Sequence, residues 1–69
     1  MKLHYYPETD PLYIDLKSHV TAVDSQEVAD GVVIDLESEG RLVGIDIDRA
    51  AGQFDLSTLE TKDLPQPAA

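Results

Sequence analysis

The amino-acid sequence predicts an α+β fold that is mostly β: a small antiparallel sheet of about four to five strands, formed by two hairpins, with a short C-terminal helix. Three observations predict it. Residues 31–48 alternate apolar and acidic residues on either side of Ser38-Glu39-Gly40, which is the period-two pattern of a half-buried hairpin. Residues 2–16 repeat the pattern around Pro7-Glu-Thr-Asp-Pro11. After Asp48 the alternation stops, and only residues 55–62 offer a capped helical spacing. At 69 residues the chain is one domain, expected over residues 1–62 with 63–69 as a mobile tail.

The first strand is expected over Lys2–Tyr6, where aromatic residues favour a pleated, half-buried surface. Two prolines four positions apart cannot both donate into a ladder, so Pro7–Pro11 is a turn. Leu12-Tyr-Ile-Asp-Leu16 returns against the first strand, with Leu12, Ile14 and Leu16 on one face and Tyr13 and Asp15 on the other. Lys17-Ser-His19 is a polar connection. Val20–Val28 reads as an extended edge strand, although Asp24-Ser-Gln-Glu27 also fits a bulge, a turn or one capped helical turn. Ala29-Asp-Gly31 is a turn in which Gly31 supplies a positive φ if one is needed.

The second hairpin carries Val32, Ile34 and Leu36 on one strand and Val43, Ile45 and Ile47 on the other. Both sets reach one face if Leu36 opposes Val43, Ile34 opposes Ile45 and Val32 opposes Ile47. That register calls for a two- or four-residue loop around Ser38–Arg41; a three-residue loop with a glycine bulge slips the pairing by one and separates the sets. In the favoured register Asp35 faces Gly44, with Asp46 diagonal to Asp35. A glycine in mid-strand points to a bulge, or to the close approach of another backbone or a large cross-strand side chain. Arg49-Ala-Ala-Gly52 reads as a strand exit. Asp55 caps a short helix through Lys62 that docks by Phe54, Leu56 and Leu59.

Composition narrows the chemistry. Fourteen acidic and five basic residues give a net charge of −9. A field of that sign repels phosphate backbones and anionic headgroups, and the five basic residues are scattered, so neither nucleic acid nor membrane is an expected partner. A basic protein or a cation suits the charge. Cysteine is absent, which removes disulfides and thiolate metal sites and fits a cytoplasmic setting. A core this small usually needs a staple, and a homodimer covering one apolar sheet face would provide it. No apolar run approaches the ~20 residues of a membrane-spanning helix, and Met1–Pro7 lacks the apolar stretch of a secretory signal.

No catalytic set is read from the sequence. His4 and His19 lack a nucleophile and an orienting acid in reach, and adjacent Ser18 and His19 would point to opposite faces of a strand. Both fit a surface or hairpin-packing role. Gly31, Gly40 and Gly44 match no phosphate-loop spacing. The acids Asp15, Asp35, Asp46 and Asp48 share an outer face and are hard oxygen ligands. Asp35 and Asp46 are the weak metal candidates, though alternating acids on an antiparallel strand are also what a solvated face looks like. Tyr5, Tyr6 and Tyr13 gather at the first hairpin, where they cover the sheet end or form a contact patch. The partner-binding candidates are therefore Tyr5, Tyr6, Tyr13, Asp35, Asp46 and Asp48. No cofactor is expected.

Two segments also carry a family resemblance. Tyr6-Pro-Glu-Thr-Asp-Pro-Leu-Tyr-Ile14 resembles the "Y-x-P-E-x-D-x-L-Y-I" opening of a small bacterial and archaeal family, domain of unknown function 2283. Residues 31–47 resemble its second signature, "G-v-x-x-D-x-x-x-x-G-x-x-v-G-I-E-I", with Asp46 in place of the commoner Glu. The likeness covers roughly residues 1–50. It implies a small β-rich fold, no settled activity, and an association with small toxin-like proteins that makes an antitoxin-like role the expectation. Two functions follow: an acidic protein-binding module paired with a small basic protein or, alternatively, a divalent-cation-binding protein or cation-dependent enzyme. The second would use the acidic face of the second hairpin, Asp35 and Asp46, with Glu8 or Asp10.

Overall fold

The computed structural model describes residues 1–65. Its strands are β1 (Lys2–Tyr5), β2 (Leu12–Asp15), β3 (Asp24–Ala29), β4 (Val32–Leu36) and β5 (Leu42–Ile47). A four-residue helix α1 (Ala50–Gln53) and a 3-10 turn (Leu56–Thr58) follow. The strands form one sheet in the order β1-β2-β5-β4-β3, with every pairing antiparallel. The body is a slab of 34 × 32 × 19 Å. The expected fold class is the observed one. The tail expected over 63–69 lies, from residue 66 onward, outside the described residues.

β5 sits at the centre and sets the two faces. Ile45 pairs with Ile34 on one side and Ile14 on the other, and Ile14 pairs with Leu3. One strand-step along, Ile47 pairs with Val32 and Leu12, and Leu12 with Tyr5. Since paired residues share a face, these rows make one side of the sheet aliphatic from β1 to β4. The other side takes the alternate positions: Tyr13, Asp15, Val33, Asp35, Gly44 and Asp46.

The loop between β4 and β5 departs from expectation. Gly40 N donates to Glu37 O, Glu37 N donates to Arg41 O at 2.9 Å, and Gly40 has φ +81°. This is the three-residue loop with a left-handed glycine that the pattern argument rejects. The slip it imposes is cancelled one step later. Leu36 pairs with Leu42 while Asp35 pairs with Gly44, so Val43 is an extra residue in β5. The bulge restores Ile34 to Ile45 and Val32 to Ile47 as expected, and replaces the expected Leu36–Val43 pair with Leu36–Leu42. Val43 instead accepts a hydrogen bond from Leu16 N at 2.9 Å and is one of the few buried side chains. Loop and strand are not independent, because a bulge absorbs one residue and keeps the hydrophobic register.

Two other segments shift. The edge strand begins at Asp24 rather than Val20. It is exposed throughout, so nothing selects the apolar Val20–Val23 over the polar residues that follow. Val28 is skipped in its pairing with β4, before a tight turn at Asp30-Gly31 where Gly31 has φ +73°. Near the C-terminus, the expected helix to Lys62 contracts to the turn Leu56–Thr58, with Asp55 capping it by accepting from Ser57 N at 3.2 Å. The expected strand exit at Arg49–Gly52 contains the helix instead. A helix this short has no stability of its own, and Ala50, fully buried, is its anchor.

The core is thin. Leu12, Val43 and Ala50 are its only buried apolar residues among those described. Phe54 and Leu59, expected as docking points, are 50% and 69% exposed. Between the aliphatic face and the chain after α1 runs an open groove of ≈ 980 Å³, lined by Leu3, Tyr5, Leu12 and Ile14 opposite Phe54, Leu56 and Leu59.

Candidate functional site

The polar face is organised by one tyrosine. Tyr13 on β2 pairs with Asp46 on β5, which places Gly44 diagonally beside it. The phenol lies across Gly44 and its hydroxyl donates to Asp35 Oδ2 on β4 at 3.1 Å. A Cβ on Gly44 would stand 2.6 Å from Tyr13 Cζ and overlap the hydroxyl. Only a glycine permits this crossing, so the mid-strand glycine has both features its position suggested: an adjacent bulge and a large side chain laid over it. Ser25 on β3 completes the line, its Oγ donating to Asp35 Oδ1 at 2.8 Å. The set Tyr13–Gly44–Asp35–Ser25 therefore spans β2, β5, β4 and β3. Removal from water, then the Asp35 bond, then the negative charges of Asp35, Asp15 and Asp46 raise the Tyr13 phenol above its ordinary value of 10.0.

Around this strap the acids are arranged in rows. Asp15 and Asp46 share the face, and Asp46 is diagonal to Asp35 as expected. Asp46 and Asp48 are exposed and line a shallow depression of ≈ 220 Å³ with Glu27, Gly31 and Val33. Arg49 reaches Asp30 at 3.2 Å, and Arg41 bridges Glu37 at 3.2 Å and Glu39 at 2.9 Å. The bond from Arg41 holds the Glu37 carboxyl below its ordinary range. Both arginines are thus engaged at the hairpin ends, and the acid rows stay open.

The other sequence candidates occupy different places. Tyr5 lies on the aliphatic side, where its hydroxyl donates to Asp10 Oδ1 at 2.7 Å. Tyr6 stacks on His4 with ring centres 4.2 Å apart and planes 6° from parallel, a hairpin-packing role for the histidine. The three tyrosines therefore do not form one patch. Asp35 has both carboxylate oxygens engaged by hydroxyl donors. Asp10, a proposed companion to Asp35 and Asp46, is bonded to Tyr5 and α1 instead. Among the described residues, no three of His, Cys, Asp and Glu come together in a group that could hold a metal ion.

Asp10 is the residue whose role sequence reasoning missed. It has φ +73° at the end of the β1–β2 turn, a conformation that Asp tolerates better than most residues. Its carbonyl accepts from Ala50 N at 2.8 Å and its Oδ1 from Ala51 N at 2.9 Å. It caps, from 41 residues away, the start of a helix that lacks a side-chain cap of its own. The Ala51 bond, followed by the Tyr5 bond, lowers its carboxyl below 3.8. No local signal marks such a cap, since donor and acceptor meet only after β2 has paired with β5. Ser25 was missed for another reason: β3 is exposed throughout, so no burial pattern fixes which of its residues faces Asp35.

Replacing Gly44 by Ala displaces Tyr13 and destabilises the fold by about 1–3 kcal/mol in urea unfolding. In the unmodified protein, the raised phenol contributes stability below the unfolded value of about 10 that is lost as pH rises through the folded value. Ultraviolet titration should show two raised tyrosines, Tyr13 and the Asp10-bonded Tyr5, and Gly44→Ala should return one of them toward the ordinary value. At Asp10 the folded value is lowered, so its contribution is present above the unfolded carboxyl value and lost as pH falls through the folded one. Asp10→Ala should destabilise more than Asp10→Asn, which keeps an acceptor and the left-handed backbone. Asp10→Asn should flatten the acid limb of the stability curve, measured as urea midpoint against pH.

Comparison with known proteins adds a family. No curated protein and no solved structure gives a match to this chain. Residues 2–50 match the family described as "Protein of unknown function (DUF2283)", a span holding all five strands and every residue of the Tyr13–Gly44–Asp35–Ser25 strap. The chain belongs to that family, DUF2283.

Proposed function

We propose that the protein is a binding module working in the cytoplasm, and that its acidic sheet face recognises a small basic protein. The observation that carries this reading is the row of carboxylates, Asp46 and Asp48 beside Glu27, exposed on one side of a sheet whose position is pinned by the Tyr13–Asp35–Ser25 strap. Each exposed ion pair contributes only about 0.2–1 kcal/mol, so recognition rests on several pairs made together. A net charge of −9 steers a cationic partner in and excludes anionic ones. An antitoxin-like role, in which this face masks the cationic surface of a small toxin, is the form of the reading that the family resemblance suggests. Pinning matters because a charge row ordered beforehand loses less conformational freedom on binding.

Affinity purification of the tagged chain from its native cells at moderate salt, with the bound proteins identified by mass spectrometry, tests the reading. The expected result is one stoichiometric small basic protein, released as salt is raised and absent when Asp46→Lys and Asp48→Lys are combined. Recovery of no stoichiometric partner, or of one that the charge-reversed chain still holds, would remove the proposal.

A further inference from the structure

We infer that the aliphatic face and its groove are the contact surface between two copies of this chain, stacked sheet on sheet with the acidic faces outward. The first support is the missing layer. A sheet with one apolar face needs a second layer over it. Here α1 and the turn after it cover only the end near Tyr5 and Leu12, leaving Leu3 at 44% and Phe54 at 50% exposure beside the groove. Three buried apolar side chains among the described residues are a small core for a domain without disulfides.

Area and charge then select the occupant. One broad face of a 34 × 32 Å slab spans about 1,100 Å², room for the about 600–1,000 Å² per copy that stable interfaces bury. Two chains of charge −9 repel unless their carboxylate rows stay apart. Stacked sheets lie about 10 Å apart, so the rows on their outer faces are separated by about 20 Å, beyond the screening length of about 8 Å at physiological salt. Pairing through the β3 edge is disfavoured, because β3 and its turn carry Asp24, Glu27 and Asp30 there. The aliphatic rows from β1 to β4 carry no carboxylate, so two such chains can meet on this broad face without opposing like charges.

Sedimentation equilibrium on the full chain tests the inference independently of any basic partner. At about 50 µM, where a dimer of micromolar Kd is the main species, the expected mass is twice the 7.6 kDa of the chain. Leu3→Glu and Phe54→Glu, at positions a single chain already exposes, should each reduce the mass to one chain with an unchanged far-ultraviolet spectrum. Ser18→Glu, an equal charge change at an exposed turn, should leave two copies. The melting temperature of the unmodified chain should rise with protein concentration, a readout that needs no variant. A single-chain mass for the unmodified protein, a melting temperature independent of concentration, or a dimer that survives both glutamate substitutions would overturn it.

Discussion

Both faces of this sheet depend on a one-residue offset in β5. The loop Ser38-Glu39-Gly40 closes with Gly40 in the left-handed region and would by itself set Asp35 against Val43. That pairing mixes carboxylates into the aliphatic side along the whole central ribbon. The bulge at Val43 moves Asp35 to Gly44 and aligns Ile34, Ile45 and Ile14 in one row. The extra residue is not left unsatisfied: Val43 is buried, and its carbonyl takes the Leu16 amide. Loop and bulge together form one device, since either alone turns half of the ribbon over.

The same offset creates the polar strap. Gly44 faces Asp35 only because of the bulge, and Tyr13 reaches Asp35 only because Gly44 has no side chain. A single hydrogen bond at a half-exposed position contributes about 1 kcal/mol. Its structural effect is larger than that figure conveys, because it joins β2 to β4 across the central strand and Ser25 extends the tie to β3. On the aliphatic side, the Asp10 clasp performs the matching task by fastening α1 to the β1–β2 turn. The two faces are therefore held by different residues and offered for different contacts.

Much of this is legible in the residues themselves. The alternation in 31–48 gives β4, β5 and the pairs Ile34–Ile45 and Val32–Ile47. Gly44 in mid-strand signals both of the features found there. The prolines at 7 and 11 give the first turn. Pattern alone does not give the Asp10 cap, whose partners are 41 residues apart, nor the choice of one hydroxyl on an exposed edge strand, the Ser25 bond to Asp35, nor a bulge that offsets the loop beside it. The edge strand is misplaced at its start because it is exposed on both faces, so periodicity has no burial to report. The helix is misplaced because Ala50 is held by tertiary bonds to Asp10, whereas the stronger local signal belongs to the cap at Asp55.

The central claim is that a bulge at Val43 offsets the Gly40 loop, and nuclear magnetic resonance of the cross-strand contacts tests it most directly. The expected spectrum pairs Asp35 with Gly44 and Leu36 with Leu42, leaves Val43 without a partner on β4, and shows a hydrogen-bond coupling from the Leu16 amide to the Val43 carbonyl. An unbroken ladder with Leu36 opposite Val43 would contradict it.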